Sequence, residues 1–218
     1  MSITRRFKAL FCVLLLSVWG SLPVEANALR NTLYDAQIRK WNSVYTPSLP
    51  WYWNKAQLVA ESRLNPNAVS PVGAMGLGQF MPATWKDVSR ALDFGDATAF
   101  APALNIQAQA YYMRQLRSQF KRERPEWDRH SLALASYNAG LGNVLKAQQR
   151  GGNSLLYAPM ANALPLVTGH HSKETTTYVK RIWEYVSYYE SNNNSSPSLL
   201  SLSGVGCLAY TQLFKCEG

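Results

Sequence analysis

Apolar residues recur at intervals of three and four along most of this chain, the spacing that lines one face of an α-helix. Residues 29–45 carry Leu29, Leu33, Ile38, Trp41 and Val44/Tyr45, which predicts one amphipathic lead-in helix followed by a linker, Thr46–Pro50. A second helix is expected after Pro50 from Trp53, Ala56, Ala60 and Leu64, with Pro66 as its stop. Thr84 reads as the N-cap of a helix beginning at Trp85, with Asp87 completing a capping box, and Asp93–Pro102 reads as turns. Leu104–Phe120 repeats helically through Ile106, Ala110, Met113 and Leu116, until Pro125 interrupts it. Asp128–Tyr137 follows, with Gly140 as a left-handed cap, then a short helix over Val144–Gln149 and a flexible Gly151-Gly152 loop. Pro159, Pro165 and a loop pair, His170-His171, precede the last main helix, Ser172–Tyr189. The expected fold class is mostly α.

The two ends differ from this pattern. Arg5, Arg6 and Lys8 precede an apolar run, Ala9–Val24, and small residues close it at Ala26 and Ala28, so residues 1–28 read as an export signal peptide. The run contains Gly20 and Pro23 and is short for a bilayer span of about 20 residues, which leaves a retained anchor as the lesser reading. Ser191–Ser198 reads as a linker by composition, and the tail beyond it holds Cys207 and Cys216, a candidate disulfide in an exported protein. The expected organisation is therefore 1–28 signal, 29–49 lead-in helix and linker, 50–190 the main domain, and 191–218 linker and Cys-containing tail.

Composition adds three points. With 47% hydrophobic and 16% charged residues the chain can bury a core, which argues against disorder. The net charge of +9 suits an anionic partner, but the basic residues are scattered apart from Lys121–Arg124, and no nucleic-acid-binding module is recognisable. Twelve Tyr and seven Trp suit flat sugar-binding platforms as well as an aromatic core. The adjacent histidines have neither a helical partner four residues away nor a cysteine nearby, so no metal is expected.

The candidate chemistry centres on Glu61, the only acidic residue between Asp35 and Asp87. It falls in the last turn of its expected helix, where the macrodipole disfavours negative charge. Apolar burial there also raises a carboxyl pKa, and a carboxylic acid still protonated near neutrality can serve as a general acid. Beyond it come Ser70 and the run Gly76-Leu77-Gly78-Gln79-Phe80-Met81-Pro82. Three glycines in six residues, Gly73, Gly76 and Gly78, let backbone approach a ligand, and the Gln79 amide can both donate to and accept from a sugar acetamido group.

Three motifs in order, across residues 50–190, make the chain resemble the soluble lytic transglycosylase (SLT domain) family of the lysozyme-like superfamily. They are the Glu61-Ser62 to Pro82 segment, Tyr137-Asn138-Ala139-Gly140, and Glu174-Thr175-Thr176-Thr177-Tyr178-Val179. The resemblance implies a goose-type, lysozyme-like helical domain with a catalytic cleft. It implies cleavage of the β-1,4 bond between N-acetylmuramic acid and N-acetylglucosamine in peptidoglycan, leaving 1,6-anhydromuramoyl ends and using no cofactor. Carried over by motif, Glu61 is the acid and base, Ser70 and Gln79 bond the sugar or its acetamido group, and Met81 lines the cleft. Tyr137 and Asn138 contribute cleft groups, Tyr178 lies near Glu61, and Glu174 is structural at a helix start. One departure is Gly78, where the family commonly has Met, which loosens the cleft locally. Implied partners are peptidoglycan strands, with the membrane met only through an uncleaved signal, and a secretion, conjugation or phage apparatus by weaker analogy. The implied location is the periplasm or cell wall of a bacterium.

Two other functional classes compete. One is a hydrolytic muramidase, chitinase or phage endolysin on the same scaffold. The other is a non-catalytic wall-binding assembly protein, against which the retention of Glu61, Gln79 and Tyr178 argues.

Overall fold

Helices account for nearly all the regular structure in the computed structural model of this protein, which describes residues 22–194. The core of the expected signal, Cys12, and the proposed Cys207–Cys216 pair lie outside the described residues. The described chain divides into two units. One comprises residues 22–48 and 57–112, the other residues 49–56 and 113–194.

In the first unit, α1 (Leu22–Arg30) and α2 (Asp35–Tyr45) replace the single lead-in helix that the spacing predicted. The break is chemical. The Asn31 side chain accepts the Leu33 amide at 2.9 Å, and the Asp35 amide turns back to the Thr32 carbonyl, so the chain satisfies itself in a turn. Leu33 points to solvent, whereas Ile38 is buried. Then follow α3 (Trp51–Ser62), of which residues 57–62 belong to this unit, α4 (Pro82–Ala91), and α5 (Pro102–Ser118) up to Tyr112.

α4 starts at Pro82, three residues ahead of the expected start at Trp85. Met81 is its extended N-cap and Pro82 occupies the first turn, where a missing N–H loses no helical bond. Asp87 caps nothing and instead pairs with Arg90 on the surface at 3.6 Å. Phe80, Trp85, Phe94 and Tyr112 form one aromatic group, and the Trp85 indole N–H donates to the Ala97 carbonyl. Gln57 and Gln109, both fully buried, bond each other at 2.5 Å.

The second unit is organised on α6 (Glu126–Ala139), against which α7 (Leu141–Arg150), α8 (Tyr157–Ala163) and α10 (Ser172–Asn194) pack. Ser131 to Ser136 are fully buried on every side of that helix. Small alanines and serines make this close approach possible, and the serines that face neighbours find partners. The Trp183 indole donates to Ser131, and Ser136 donates to the Leu132 carbonyl. Gly140 has φ 85° and ψ 135°, a conformation open to glycine alone and different from the left-handed cap predicted. It ends α6 and caps α7 at once, so α7 begins at Leu141, ahead of Val144.

Pro159 sits in the first turn of α8, and Pro165 opens α9 (Pro165–Thr168), so neither proline prevents helix formation. The paired histidines, expected in a loop, lie in a 3-10 turn, Gly169–His171. α10 continues to Asn194, through part of the expected linker. Its polar end is held by Ser191 and Asn192, whose side chains both donate to the Tyr188 carbonyl.

Below α6, Trp53, Trp127, His130 and Trp183 pack ring on ring. His130 is 1% exposed, and its Nδ1 faces an Arg117 N–H at 3.3 Å, which places the ring proton on Nε2. Burial, and next the Arg117 charge, hold His130 well below the usual histidine range, so it is neutral. Arg117 is compensated by its ion pair with Glu126. Among the described residues no helix is long and apolar enough to cross a membrane.

Candidate active site

Glu61 is the penultimate residue of α3 and is half-buried. What ends the helix is the pair Arg63 and Leu64, both in the left-handed region at φ 54° and 60°, two residues before the proline expected to do it. Leu64 is 4% exposed, and burial of its side chain compensates for a conformation that branched and bulky residues avoid. The Arg63 amide still reaches the Val59 carbonyl at 2.9 Å, closing the last turn around Glu61. The carboxyl therefore stands where the unpaired carbonyls of the helix end make an anion least favourable.

From here residues 65–81 fold as a loop tied to itself. Ser70 and Ala74 are bonded twice: the Ser70 amide donates to the Ala74 carbonyl, and the Ala74 amide to the Ser70 hydroxyl, both at 2.9 Å. Ser70 is buried, its oxygen already accepts, and its hydroxyl proton is what it has to offer a ligand. Met75 and Phe80 exchange backbone bonds at 2.9 and 3.0 Å, closing a tip of four residues, Gly76 to Gln79.

Gln79 sits in that tip at φ 48°, with Nε2 donating to the carbonyls of Ala68 (3.1 Å) and Gly76 (2.9 Å). Two carbonyl partners fix which end of the amide is nitrogen, so Oε1 is the end free for a ligand. Gln79 therefore offers an acceptor, not the donor-and-acceptor pair its residue type suggested. Met81, half-buried, follows directly as the N-cap of α4.

Gly76 in this loop serves the protein itself. A Cβ there would lie 2.1 Å from the Ala99 carbonyl oxygen and 2.5 Å from Asn105 Nδ2, so the close approach it permits is to α5 and its lead-in, whereas a Cβ on Gly73 would meet nothing within 4 Å. Asn105 is fully buried. It accepts the Gly78 amide and donates to the Ala99 carbonyl, both at 2.7 Å.

The remaining motif residues are in the second unit. Tyr137 and Asn138 are half-buried at the end of α6, and Tyr178 is buried on α10. Asn138 Oδ1 accepts the Thr175 hydroxyl at 2.7 Å, and its amide bonds the Glu174 carboxylate. Glu174 lies in the first turn of α10, as expected of a structural residue. Burial raises its pKa, and the Asn138 bond and the nearby His171 offset part of that rise. Thus the structure groups Glu61, Ser70, Gln79 and Met81 along one continuous segment of one unit, and Tyr137, Asn138 and Tyr178 in the other. Among the described residues no group of three or more His, Cys, Asp or Glu is arranged to hold a metal.

The family model for the Transglycosylase SLT domain matches residues 46–156, from before α3 into the turn after α7. The chain belongs to that family. The match takes in Glu61, the 65–81 loop and the Tyr137-Asn138 motif. Similarity to single proteins runs further. The membrane-bound lytic murein transglycosylase F of Pseudoalteromonas translucida is 32% identical over 155 residues, 69% of this chain and 31% of that protein. The soluble lytic murein transglycosylase of Escherichia coli is 31% identical over 201 residues, 86% of this chain and 29% of that protein. Among solved structures, the lytic transglycosylase Slt of Pseudomonas aeruginosa, studied as an inactive Glu-to-Gln mutant, superposes with a TM-score of 0.60 at 27% identity. That match covers 78% of this chain and 26% of the other. The SLT domain chain thus spans about a third or less of the length of these relatives, and its helical architecture matches the lysozyme-like fold expected.

Two residues that the motif reading gave no role are tied into this arrangement. Asn105 is a lone amide in an apolar helical repeat, and Thr175 a hydroxyl beside a more conspicuous glutamate. Only the pairing of the first with Gly78, and of the second with Asn138, reveals them.

Proposed function

We propose that this protein is a peptidoglycan lytic transglycosylase. It cleaves the β-1,4 bond between N-acetylmuramic acid and N-acetylglucosamine and leaves a 1,6-anhydromuramoyl end. The observation that carries this reading is Glu61 itself: one half-buried carboxyl, at a helix end that disfavours its charge, beside a loop that presents an amide acceptor.

A single acid suffices for this reaction. Protonated Glu61 gives its proton to the glycosidic oxygen as the C1–O bond breaks. The substrate's own acetamido oxygen meets the positive charge at C1. Glu61, now a carboxylate, then takes the proton from the muramoyl 6-hydroxyl as that oxygen bonds to C1. The acid is restored and no water is consumed. Gln79 Oε1 accepts an N–H or O–H from the sugar, and the Ser70 hydroxyl donates to a sugar or acetamido oxygen. Met81, Tyr137 and Tyr178 are assigned to substrate contact, and Asn138, its amide engaged by Glu174 and Thr175, to holding the end of α6 beside Tyr137.

Both named relatives are murein transglycosylases of bacteria, which supports a site of action at the cell wall and export by the signal in residues 1–28. The test is mass spectrometry of purified peptidoglycan after digestion by the protein and by its Glu61→Gln variant. Anhydromuropeptides from the first and none from the second are expected. Reducing ends, heavier by one water, would make it a hydrolase, and an unchanged wall would make it a binding protein.

A further inference from the structure

We infer that Asn105 is a positioning residue for substrate recognition, acting through Gln79; the assignment rests on the transglycosylase reading above. Asn105 lies in α5, fully buried, and uses both ends of its amide. Oδ1 accepts the Gly78 amide and Nδ2 donates to the Ala99 carbonyl, each at 2.7 Å. Gly76 packs so closely on this pair that a single added carbon would overlap Ala99 and Asn105 Nδ2. Gly78 is followed directly by Gln79, held at φ 48° with its own amide nitrogen spent on Ala68 and Gly76.

The chain of constraint therefore runs from Asn105 to the Gly78 amide, to the Gln79 backbone, and ends at Gln79 Oε1. Among the described residues no donor meets that oxygen. A substrate acetamido group presents an N–H, and the acceptor that receives it sits where Asn105 sets it. No apolar side chain of similar volume can replace Asn105, because it leaves a buried amide and a buried carbonyl unpaired. Asp replaces the Nδ2 donor with an oxygen that faces the Ala99 carbonyl.

The test is a double-mutant cycle on the full chain: Asn105→Ala, Gln79→Ala and both together, with kcat and KM for anhydromuropeptide release and a thermal melt for each. Each single substitution should lower kcat/KM by about ten- to a hundredfold, the scale of a misplacement near 1 Å. The double variant should be no worse than the poorer single, because both changes remove one and the same contact. Losses that multiply in the double variant overturn the inference and leave the transglycosylase reading intact. Asn105→Ser repeats the cycle if the alanine variant does not fold, and failure of both to fold overturns the inference in favour of a purely structural residue. If the wild-type protein releases no products, the transglycosylase reading fails instead. The same cycle is then read as the Kd for chitotetraose, where shared losses support the inference and multiplying losses or no binding overturn it.

Discussion

Asn138 and Thr175, 37 residues apart in sequence, share a hydrogen bond of 2.7 Å from the threonine hydroxyl to the asparagine carbonyl oxygen. Two motifs that stand apart in the chain, Tyr137-Asn138-Ala139-Gly140 and Glu174-Thr175, are thereby one junction between α6 and α10. Thr175 is fully buried. Thr175→Val keeps the shape and leaves the asparagine oxygen without its donor, so it should lower stability by about 1–2 kcal/mol in urea unfolding. A variant as stable as wild type would remove Thr175 from the junction.

Two glycines offer a matched comparison. Gly76→Ala drives a carbon into the Ala99 carbonyl at φ 74°, and should lower stability by about 3 kcal/mol or more while disturbing the Gln79 tip. Gly142→Ala, in α7 with nothing within 4 Å of the new carbon, should raise stability by roughly 0.5–1 kcal/mol. Thermal melts of the pair test both signs at once.

His130 sets an acid limit on the second unit. Its folded-state pKa is depressed, by burial first and Arg117 second, while in the unfolded chain it titrates near its ordinary value of about 6.5. Below that value the unfolded state binds a proton that the folded state refuses. Stability is thus fully present above about pH 6.5 and falls as the pH drops, by up to about 1.4 kcal/mol per unit from this residue. His130→Gln should flatten the profile of melting temperature against pH between 4 and 6.5, and an unchanged slope would exclude His130 as its source.

Glu61→Gln should reduce glycan cleavage by at least about a hundredfold, the scale of a general acid. It should leave the melting temperature unchanged or slightly raised, because a negative charge at a helix C-terminus is unfavourable by a few tenths of a kcal/mol. Loss of activity together with loss of fold would argue that Glu61 is structural.

The long helices were legible because periodicity marks them: α3, α5 and most of α6 fall close to their expected bounds. Their punctuation was not. Arg63 and Leu64 turn left-handed with no glycine to signal it, Pro82 begins a helix expected only from Trp85, and Asn31 breaks one with a side chain that periodicity ignores. Motif order nominated Glu61 and Gln79 in one unit and Tyr178 in the other as candidates, since those residue types carry chemistry wherever they sit. Which atoms remain available was hidden. Gln79 spends its donors within the loop, and Asn105 matters through a bond 27 residues back along the chain, a relation that no local pattern encodes.

The loop between α3 and α4 reaches its form through its own bonds and three left-handed non-glycine residues. The conformational entropy of ordering it is thus lost during folding, and under the proposed function none of it is left to lose at the encounter with a glycan. Heat should accordingly abolish recognition and structure in one cooperative step, with little softening of affinity beforehand. An adaptable loop would lose its grip gradually on warming; this one is a mould cast in advance.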